Sequence, residues 1–308
     1  MSPSPTRIIA FGDVIDDVVV VPSGPIRDDT DTKSSIRFRP GGSPANTAAW
    51  LGFLGAPVDF VGTVARVDAG RHTAELAAIG VTPHLRGHAT LPTGTIVVIV
   101  EGQRRSMLTE RGANTASDTA LVTDELLAQA SALHLTGHAL LNDSGAEGFA
   151  DVIRRARAAS VAVSVSPGSA GFLADYGVEE FLAAVAGASI LFPALEEGRL
   201  LTGLDEPAAI AARLAETFDT VVLTLGSEGV VVAHADEVTR VKAVSVDVID
   251  PTGAGDAFCA GFLDEWVRTG DPVGAARAGT LVAALAVNVM GARPVVWYLD
   301  KLAETAPV

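Results

Sequence analysis

The 308-residue sequence has one cysteine, few aromatic residues and no long uninterrupted apolar segment. A single cysteine, Cys259, cannot form an intrachain disulfide, and its apolar neighbours in sequence predict a small buried residue. No apolar run approaches the roughly 18 residues that a membrane-spanning helix needs. Residues 1–7 lack the apolar core of a secretion signal. These absences predict a soluble protein located in the cytoplasm.

Basic residues are also scarce, because 22 lysines and arginines face 37 aspartates and glutamates, giving a net charge of −15. Such a surface predicts that neither nucleic acid nor an anionic membrane is a partner. The six histidines are scattered without the spacing of metal ligands, so no structural zinc is expected. With 48% hydrophobic and 19% charged residues, the composition is typical of a globular protein with a large core.

Two familiar nucleotide-binding motifs are missing. The phosphate-binding loop Gly-x4-Gly-Lys-Ser/Thr does not occur in the chain. The first predicted β–α turn reads Gly-Asp-Val-Ile-Asp-Asp over residues 12–17, without the Gly-x-Gly-x-x-Gly pattern of dinucleotide-binding folds. The second absence argues against a nicotinamide-dependent dehydrogenase.

The most informative stretch is residues 250–258, Asp-Pro-Thr-Gly-Ala-Gly-Asp-Ala-Phe. Alternating apolar residues over 244–249 predict a strand before it, and a buried helix is predicted after it. Gly253 and Gly255 allow the backbone to approach a ligand closely, and the amides of a helix N-terminus favour an anion. With Asp256 as a base beside this anion site, the stretch suits transfer of a phosphoryl group to a hydroxyl. The alternative is an ordinary β–α turn with a capping aspartate.

A second stretch, residues 41–51, places two glycines directly before a predicted helix. Ser43 is predicted as the N-cap of that helix, with a proline at its first position. Asn46 lies in the first turn, from which its amide can reach a ligand that the glycine backbone approaches.

Both stretches resemble the signatures of the ribokinase-like (PfkB) carbohydrate kinases, Gly-Gly-x-x-x-Asn-x-Ala and Asp-x-Thr-Gly-Ala-Gly-Asp-x-Phe. The resemblance extends from Gly12 to about Leu302. It implies an α/β protein with a three-layer α/β/α core, a mostly parallel sheet and a small β-sheet lid. The implied core comprises residues 1–13, 40–89 and 113–308, and the implied lid comprises residues 14–39 and 90–112.

The pattern of the chain agrees with one core interrupted by a lid. Helical and strand patterns alternate from Thr119 onward, beginning with a helix over 119–130, which favours a parallel sheet. Residues 94–108 read as a β-hairpin, and residues 26–39 as a short exposed strand pair. No internal repeat of 20–50 residues is visible.

The resemblance also implies roles for individual residues. Asp256 would be the catalytic base, and the anion hole would be formed by Gly253, Ala254 and Gly255. The implied substrate-binding residues are Asp17, Gly41, Gly42 and Asn46. For Asp17, the alternative is that it belongs to a solvated acidic loop.

Three arginines, Arg104, Arg105 and Arg111, cluster around the predicted hairpin. They could form a solvated edge that prevents strand aggregation, or bind an anionic group of the substrate. The segment Gly112-Ala113-Asn114 resembles a family segment, which favours Arg111 as a substrate-binding residue.

Cofactors are implied by the resemblance as well. ATP would lie along Thr224, Gly226, Ser227, Gly229 and Thr252. Glu197 would lie near Mg²⁺, although Ala194 stands where the family usually has an asparagine. A monovalent cation, K⁺, would lie near Asp250, Thr252 and Gly291.

The predicted function is an ATP-dependent kinase that phosphorylates a hydroxyl of a sugar or sugar-like small molecule. A homodimer formed through the lid is also predicted. Two alternatives remain open: a nucleoside kinase, acting on a substrate such as adenosine, and a non-catalytic sugar-binding sensor. The substitution of Ala194 for the family asparagine gives the sensor some support.

Overall fold

A nine-stranded sheet and a separate four-stranded sheet form the framework of the protein, in a computed structural model that describes residues 7–101 and 104–294. The strands, numbered in chain order, are β1 (Arg7–Phe11), β2 (Ile15–Pro22), β3 (Ser34–Gly41), β4 (Val58–Ala65), β5 (Val81–His88), β6 (Gly94–Glu101), β7 (Arg104–Glu110), β8 (Ala130–Thr136), β9 (Ala162–Ser166), β10 (Ile190–Leu191), β11 (Thr220–Thr224), β12 (Val230–His234) and β13 (Glu237–Val241). The α-helices are α1 (Ser43–Phe53), α2 (Ala69–Ala77), α3 (Asp124–Leu127), α4 (Gly145–Ala158), α5 (Ala170–Tyr176), α6 (Val178–Ala184), α7 (Leu195–Thr202), α8 (Pro207–Ala215), α9 (Ala254–Thr269) and α10 (Pro272–Val287).

The large sheet has the order β13-β12-β11-β10-β9-β8-β1-β4-β5. The seven neighbouring strands from β11 through β10, β9, β8, β1 and β4 to β5 pair in parallel. At the other end of the sheet, β12 and β13 pair antiparallel. Successive side chains of β1 face opposite sides, so Ile9 and Phe11 enter one apolar cluster while Ile8 and Ala10 enter the other. Helices cover both faces of the sheet, as expected for parallel strands. The predicted α/β fold with a mostly parallel sheet is confirmed.

The four-stranded sheet has the order β3-β2-β6-β7. β6 and β7 form the predicted hairpin, and β2 pairs antiparallel with β3 and parallel with β6. This second, smaller sheet is the predicted lid sheet. The exact division of the chain into core and lid segments stays a prediction.

Three predictions of strand and helix positions are wrong. Residues 244–249 form no strand; the amide of Ile249 instead donates to the carbonyl of Val287 at the end of α10 (2.8 Å). The helix predicted over residues 119–130 is divided into a 3-10 turn and α3, because Thr123 caps α3 through its side chain. Residues 26–39 contribute only β3, whose antiparallel partner is β2.

Among residues 7–101 and 104–294, no helix is both long and apolar enough to cross a bilayer.

Candidate active site

Helix α9 begins in a tight glycine turn. Gly253, at the N-cap position, has a φ of +78°, which favours glycine, and a Cβ there would come within 2.6 Å of the Cα of Ala292. The turn can therefore form only if residue 253 lacks a side chain. Gly255 differs, because a Cβ there would meet nothing within 4 Å.

The amides of this first turn are available to a ligand, apart from that of Ala254, which donates to the Pro251 carbonyl (3.3 Å). Among the described residues, none accepts a hydrogen bond from the amides of Gly253, Gly255 or Asp256. Free amides and the helix dipole together favour an anion at this end of α9. The observed geometry fits an anionic group.

Helix α1 brings two side chains to Asp256. Ser43 Oγ donates to Asp256 Oδ1 (2.6 Å), and Asn46 Nδ2 donates to Asp256 Oδ2 (2.8 Å). These residues lie 213 and 210 positions earlier in the chain. Ser43 is not the N-cap predicted from the sequence, because Gly42 occupies that position with a φ of 92°. The serine hydroxyl is therefore used at the site instead of at the helix end.

Asp256 is half-buried, and protein atoms surround its carboxylate. Loss of hydration raises the pKa of Asp256 to about 6. The hydrogen bonds from Ser43 and Asn46 and the positive charge of Arg293 act in the opposite direction. Such a carboxylate is ionised at neutral pH and can still accept a proton readily, which suits a general base.

Asp17, near the start of β2, lies against the Gly41 backbone. A Cβ on Gly41 would come within 2.3 Å of Asp17 Oδ2, so a larger residue there would displace the Asp17 carboxylate. Burial raises the pKa of Asp17 to about 6, the charge of Arg293 lowers it, and the charges of Asp16 and Asp256 raise it further. The influence of Asp256 on this pKa indicates that the two carboxylates belong to one site.

Arg293 completes this cluster, and sequence reasoning missed it. Its Nε donates to Asn46 Oδ1 (3.0 Å) and its Nη2 donates to the Gly41 carbonyl (2.7 Å). The only signal in the sequence was an arginine in the segment that follows the long apolar helix α10, and arginine in such a place is ordinarily a surface residue.

Arg111 lies in a different network. Its guanidinium donates to Asp13 Oδ1 (3.1 Å), to the His138 carbonyl (2.8 Å) and to Asn142 Oδ1. The structure therefore shows Arg111 bonded to protein acceptors, and its predicted contact with substrate stays a prediction.

The turn predicted to carry the nucleotide follows β11. Thr224 ends that strand and bridges to Ala194, and Gly226, Ser227 and Gly229 form the turn after it. A Cβ on Gly229 would come within 2.0 Å of the Val241 carbonyl oxygen. Because Thr224 bridges to Ala194, the N-cap residue of α7, the turn lies beside the start of that helix.

An exposed apolar strip lies between the large sheet and α9 along the chain. Val244, Val246, Val248 and Ile249 are all at least partly exposed, although they are large apolar residues. Ile249 is hydrogen-bonded to the end of α10, where Leu285 is also exposed. These side chains therefore leave apolar surface open next to the end of α10.

Glu197, in the first turn of α7, accepts a hydrogen bond from the Ala194 amide (2.7 Å) through Oε2. Burial raises the pKa of Glu197 to about 7, and the bond from the Ala194 amide partly opposes this rise. The other carboxylate oxygen receives no hydrogen bond from the described residues. One carboxylate oxygen is therefore available to a magnesium ion, which binds few protein groups and keeps several waters.

The residues predicted to hold a monovalent cation do meet. Asp250 Oδ1 accepts from Thr252 Oγ1 (2.6 Å) and Asp250 Oδ2 accepts from the Gly291 amide (3.0 Å). Arg105 of β7 also donates to Asp250 Oδ1 (3.1 Å) and Thr252 Oγ1 (2.7 Å). N–H and O–H donors thus approach these side-chain oxygens, and the cation predicted here stays a prediction that no step below uses. Among the described residues, no group of three or more His, Cys, Asp or Glu side chains could hold a metal ion.

Comparison with known proteins identifies the family of this chain. The model of the pfkB family carbohydrate kinases matches residues 5–297. This chain belongs to that family. The pfkB kinase is therefore a phosphotransferase with an alcohol group as acceptor, acting on a sugar or a nucleoside.

Individual relatives of this pfkB kinase fall among both substrate types. It is 28% identical to the ribokinase of Haemophilus influenzae over 289 residues, which are 90% of each chain. The adenosine kinase structure from Sinorhizobium meliloti is 25% identical, with a TM-score of 0.85 over 97% of this chain and 99% of that one. A putative ribokinase II from E. coli in complex with ATP and Mg²⁺ is 20% identical, with a TM-score of 0.81 over 97% of this chain and 99% of that one.

Proposed function

We propose that this protein is an ATP-dependent sugar kinase that transfers the γ-phosphoryl group to a hydroxyl of a sugar or sugar-like substrate, with Asp256 as the general base. One observation carries the proposal: the Asp256 carboxylate lies at the free amides of α9 and is held by Ser43 and Asn46 of α1. The proposed base and the anion site of α9 thus lie beside the start of α1, which resembles the substrate-binding segment of the family.

The acceptor substrate would lie between the lid and α1. Asp17 and Asn46 offer a carboxylate and an amide to its hydroxyl groups, and the Gly41–Gly42 backbone allows a close approach. Carboxylates and amides recognise hydroxyls without needing a charge on the substrate. This polar set supports a polyol as acceptor.

The proposed reaction is a balanced exchange of one bond for another. Asp256 accepts the proton of the acceptor hydroxyl as that oxygen bonds to the γ-phosphorus, and the bond from phosphorus to the bridging oxygen breaks. Bound ATP with Mg²⁺ supplies the phosphoryl group. The amides of Gly253, Ala254 and Gly255 hold the phosphoryl oxygens as negative charge develops on them. ADP and a phosphorylated sugar are the products.

The nucleotide would lie along the turn of Thr224, Gly226, Ser227 and Gly229, with its phosphates toward Thr252 and α9. The exposed apolar strip over residues 244–249 offers a surface for the adenine ring. Two observations support ATP and magnesium: the ATP–Mg²⁺ complex of the E. coli neighbour and the free carboxylate oxygen of Glu197. A potassium requirement stays a prediction, and Asp250, Thr252 and Gly291 are the residues to which it applies.

A nucleoside kinase is the second candidate function. It is favoured by the likeness to the S. meliloti adenosine kinase, whose TM-score of 0.85 exceeds that of the E. coli ribokinase II. A non-catalytic sensor is opposed by the presence of Asp256 with both signature glycines. We also propose a cytoplasmic location, where the single buried thiol of Cys259 would stay reduced.

We further propose a homodimer through the lid. Asp17 faces the active site, so its neighbour Val18 faces the opposite side of the lid sheet. On that side, Phe38, Val18, Val97 and Leu108 are aligned as cross-strand partners. These four residues form the outer face of the lid, and Phe38 is 76% exposed and Leu108 60% exposed. An apolar row across all four strands suits pairing with a second copy.

The decisive experiment replaces the proposed base. Asp256→Asn should lower kcat by about 10²- to 10⁴-fold, because the hydroxyl proton then has no acceptor. Turnover should be measured across sugars, sugar acids and nucleosides, with and without potassium. Asp264→Asn, farther along the same helix, is the matched control and should keep full activity. Full activity of Asp256→Asn would refute the assignment of the base, and nucleoside-only turnover would favour the second candidate.

A further inference from the structure

The Arg293 side chain is almost fully enclosed, although arginine is normally a surface residue. Only 6% of Arg293 is exposed. Its planar guanidinium donates from Nε to Asn46 Oδ1 and from Nη2 to the Gly41 carbonyl. A guanidinium presents these N–H groups in a fixed fork, so one side chain fixes the relative position of two elements.

The contact with Arg293 decides which way the Asn46 amide points. Arginine can only donate, so the atom of Asn46 that faces Arg293 must be the carbonyl oxygen. The NH₂ group of Asn46 therefore points to the opposite side, where it donates to Asp256 Oδ2 (2.8 Å). If Arg293 were absent, the amide could rotate and present an acceptor to the carboxylate.

Arg293 acts on the acceptor side of the site as well. The Gly41 carbonyl that it holds belongs to the residue whose Cα lies against Asp17. The backbone of the same C-terminal segment contacts α1, because the Ala292 carbonyl accepts from Trp50 Nε1 (3.0 Å). The segment around Arg293 thus joins the start of α1, the end of β3 and the turn before α9.

Arg293 also places a positive charge among acids. It stays protonated at neutral pH, since burial lowers its pKa only to about 10. Its charge lowers the pKa of both Asp17 and Asp256. The groups that face Asp256 are Ser43 and Asn46 of α1, Asp17 of β2, Arg293, and Cys259 on α9 itself.

We propose that Arg293 is a positioning residue for the phosphoryl transfer: it orients the Asn46 amide toward Asp256 and fixes the Gly41 backbone beside Asp17. This inference rests on the proposed role of Asp256 as general base. Arg293 acts through Asn46 and Gly41 and needs no direct contact with the reacting atoms.

Two substitutions separate the fork geometry from the charge. Arg293→Lys keeps the charge but cannot hold both acceptors, so kcat should fall by about 10- to 100-fold while the acidic limb of the pH profile stays in place. Arg293→Met loses both, so kcat should fall similarly and the acidic limb should move to higher pH, because Asp256 loses a neighbouring positive charge. KM for the acceptor should change less than kcat in both variants.

Arg155→Met is the matched control. Arg155 is also largely enclosed and bonds Asp151, Asp124 and the Val122 carbonyl, outside the proposed site. This variant should lose thermal stability without any shift of the acidic limb. A wild-type kcat in both Arg293→Lys and Arg293→Met would overturn the proposal. If Arg293→Met does not fold, an unchanged kcat in Arg293→Lys alone overturns it.

A measurement without turnover separates this proposal from the function on which it rests. The side-chain carboxyl of Asp256 can be titrated by ¹³C NMR in the wild type and in Arg293→Met. A higher pKa of Asp256 in the variant supports the coupling, and an unchanged pKa contradicts it. If the wild type phosphorylates no acceptor but the NMR shift occurs, the proposed function fails while the coupling of Arg293 to Asp256 stands.

Discussion

Asp256 combines two properties that usually oppose one another. It is ionised at neutral pH, yet it lies where protein atoms replace much of its water. Loss of hydration costs free energy in the charged form, and the hydrogen bonds of Ser43 and Asn46 offset part of that cost. A strained electrostatic environment of this kind is what a general base near neutral pH requires.

The same environment predicts a cost in stability. Burial raises the pKa of Asp256 from 3.8 to about 6, so the folded protein is more stable when this carboxyl is protonated. This stabilisation is fully present below pH 3.8 and is lost as the pH rises through 6, where the buried carboxylate becomes charged. Asp256→Asn should therefore raise the free energy of unfolding at pH 7.5 by on the order of 1–3 kcal/mol. Thermal unfolding of variant and wild type at pH 7.5 and pH 4 measures this. A stability gain that is equally large at pH 4 would show that the charge is not its cause.

The contacts of Ser43 and Arg293 could not be predicted from the local sequence. A serine between glycine and proline before a helix predicts an N-cap. In the folded protein, the Ser43 hydroxyl donates a hydrogen bond to Asp256 instead. Arg293 has no local signal, because its acceptors lie about 250 residues earlier in the chain. Propensities describe neighbours in sequence, so they could not predict either contact.

The turn before α9 is the element on which the site depends. The glycine turn and the helix after it were predicted correctly from the sequence, because both follow from local backbone requirements. The strand predicted over residues 244–249 is absent from the structure. Alternating apolar residues favour a strand only when a neighbouring strand is available, and this segment bonds to α10 instead.

Replacing the two glycines of this turn should affect the free energy of unfolding differently. Gly253→Ala should lower the free energy of unfolding by about 1–3 kcal/mol or more, because it combines a left-handed φ with a backbone clash at Ala292. Gly255→Ala is the matched control for stability, since its Cβ meets open space and alanine favours a helix. Urea unfolding checks both variants.

Activity of the Gly255→Ala variant tests the anion site. If phosphates approach the amide of residue 255 closely, the added methyl group should weaken ATP binding or lower kcat although stability is kept. A variant with wild-type kinetics would mean that the phosphates do not lie against this residue.

At the scale of the whole molecule, the lid sheet has two chemically different faces. One carries Asp17 toward the candidate active site, and the outer face carries Phe38, Val18, Val97 and Leu108. A monomer would leave this apolar row in water, which has a free-energy cost that a second copy can remove.

The proposed dimer predicts a change in mass. Phe38→Asp combined with Leu108→Asp should convert a dimer to a monomer, because two carboxylates would be buried without partners. Met107→Asp is the matched control, since Met107 is 61% exposed on the same strand but faces the other side. Light scattering after size exclusion gives the masses. A wild type that is monomeric at micromolar concentration would rule out the interface.

By itself, the sequence determined the alternating α/β pattern and the two glycine-rich helix starts, and it singled out Asp256 as the proposed base, since these depend on local backbone chemistry and residue type. The partnership of Asp256 with Ser43 and Asn46, the enclosure of Arg293 and the two-sidedness of the lid were decided only by tertiary structure. Each of these joins residues that lie far apart in the chain. Only the pairing of strands and the packing of helices on the sheet bring such residues within hydrogen-bonding distance.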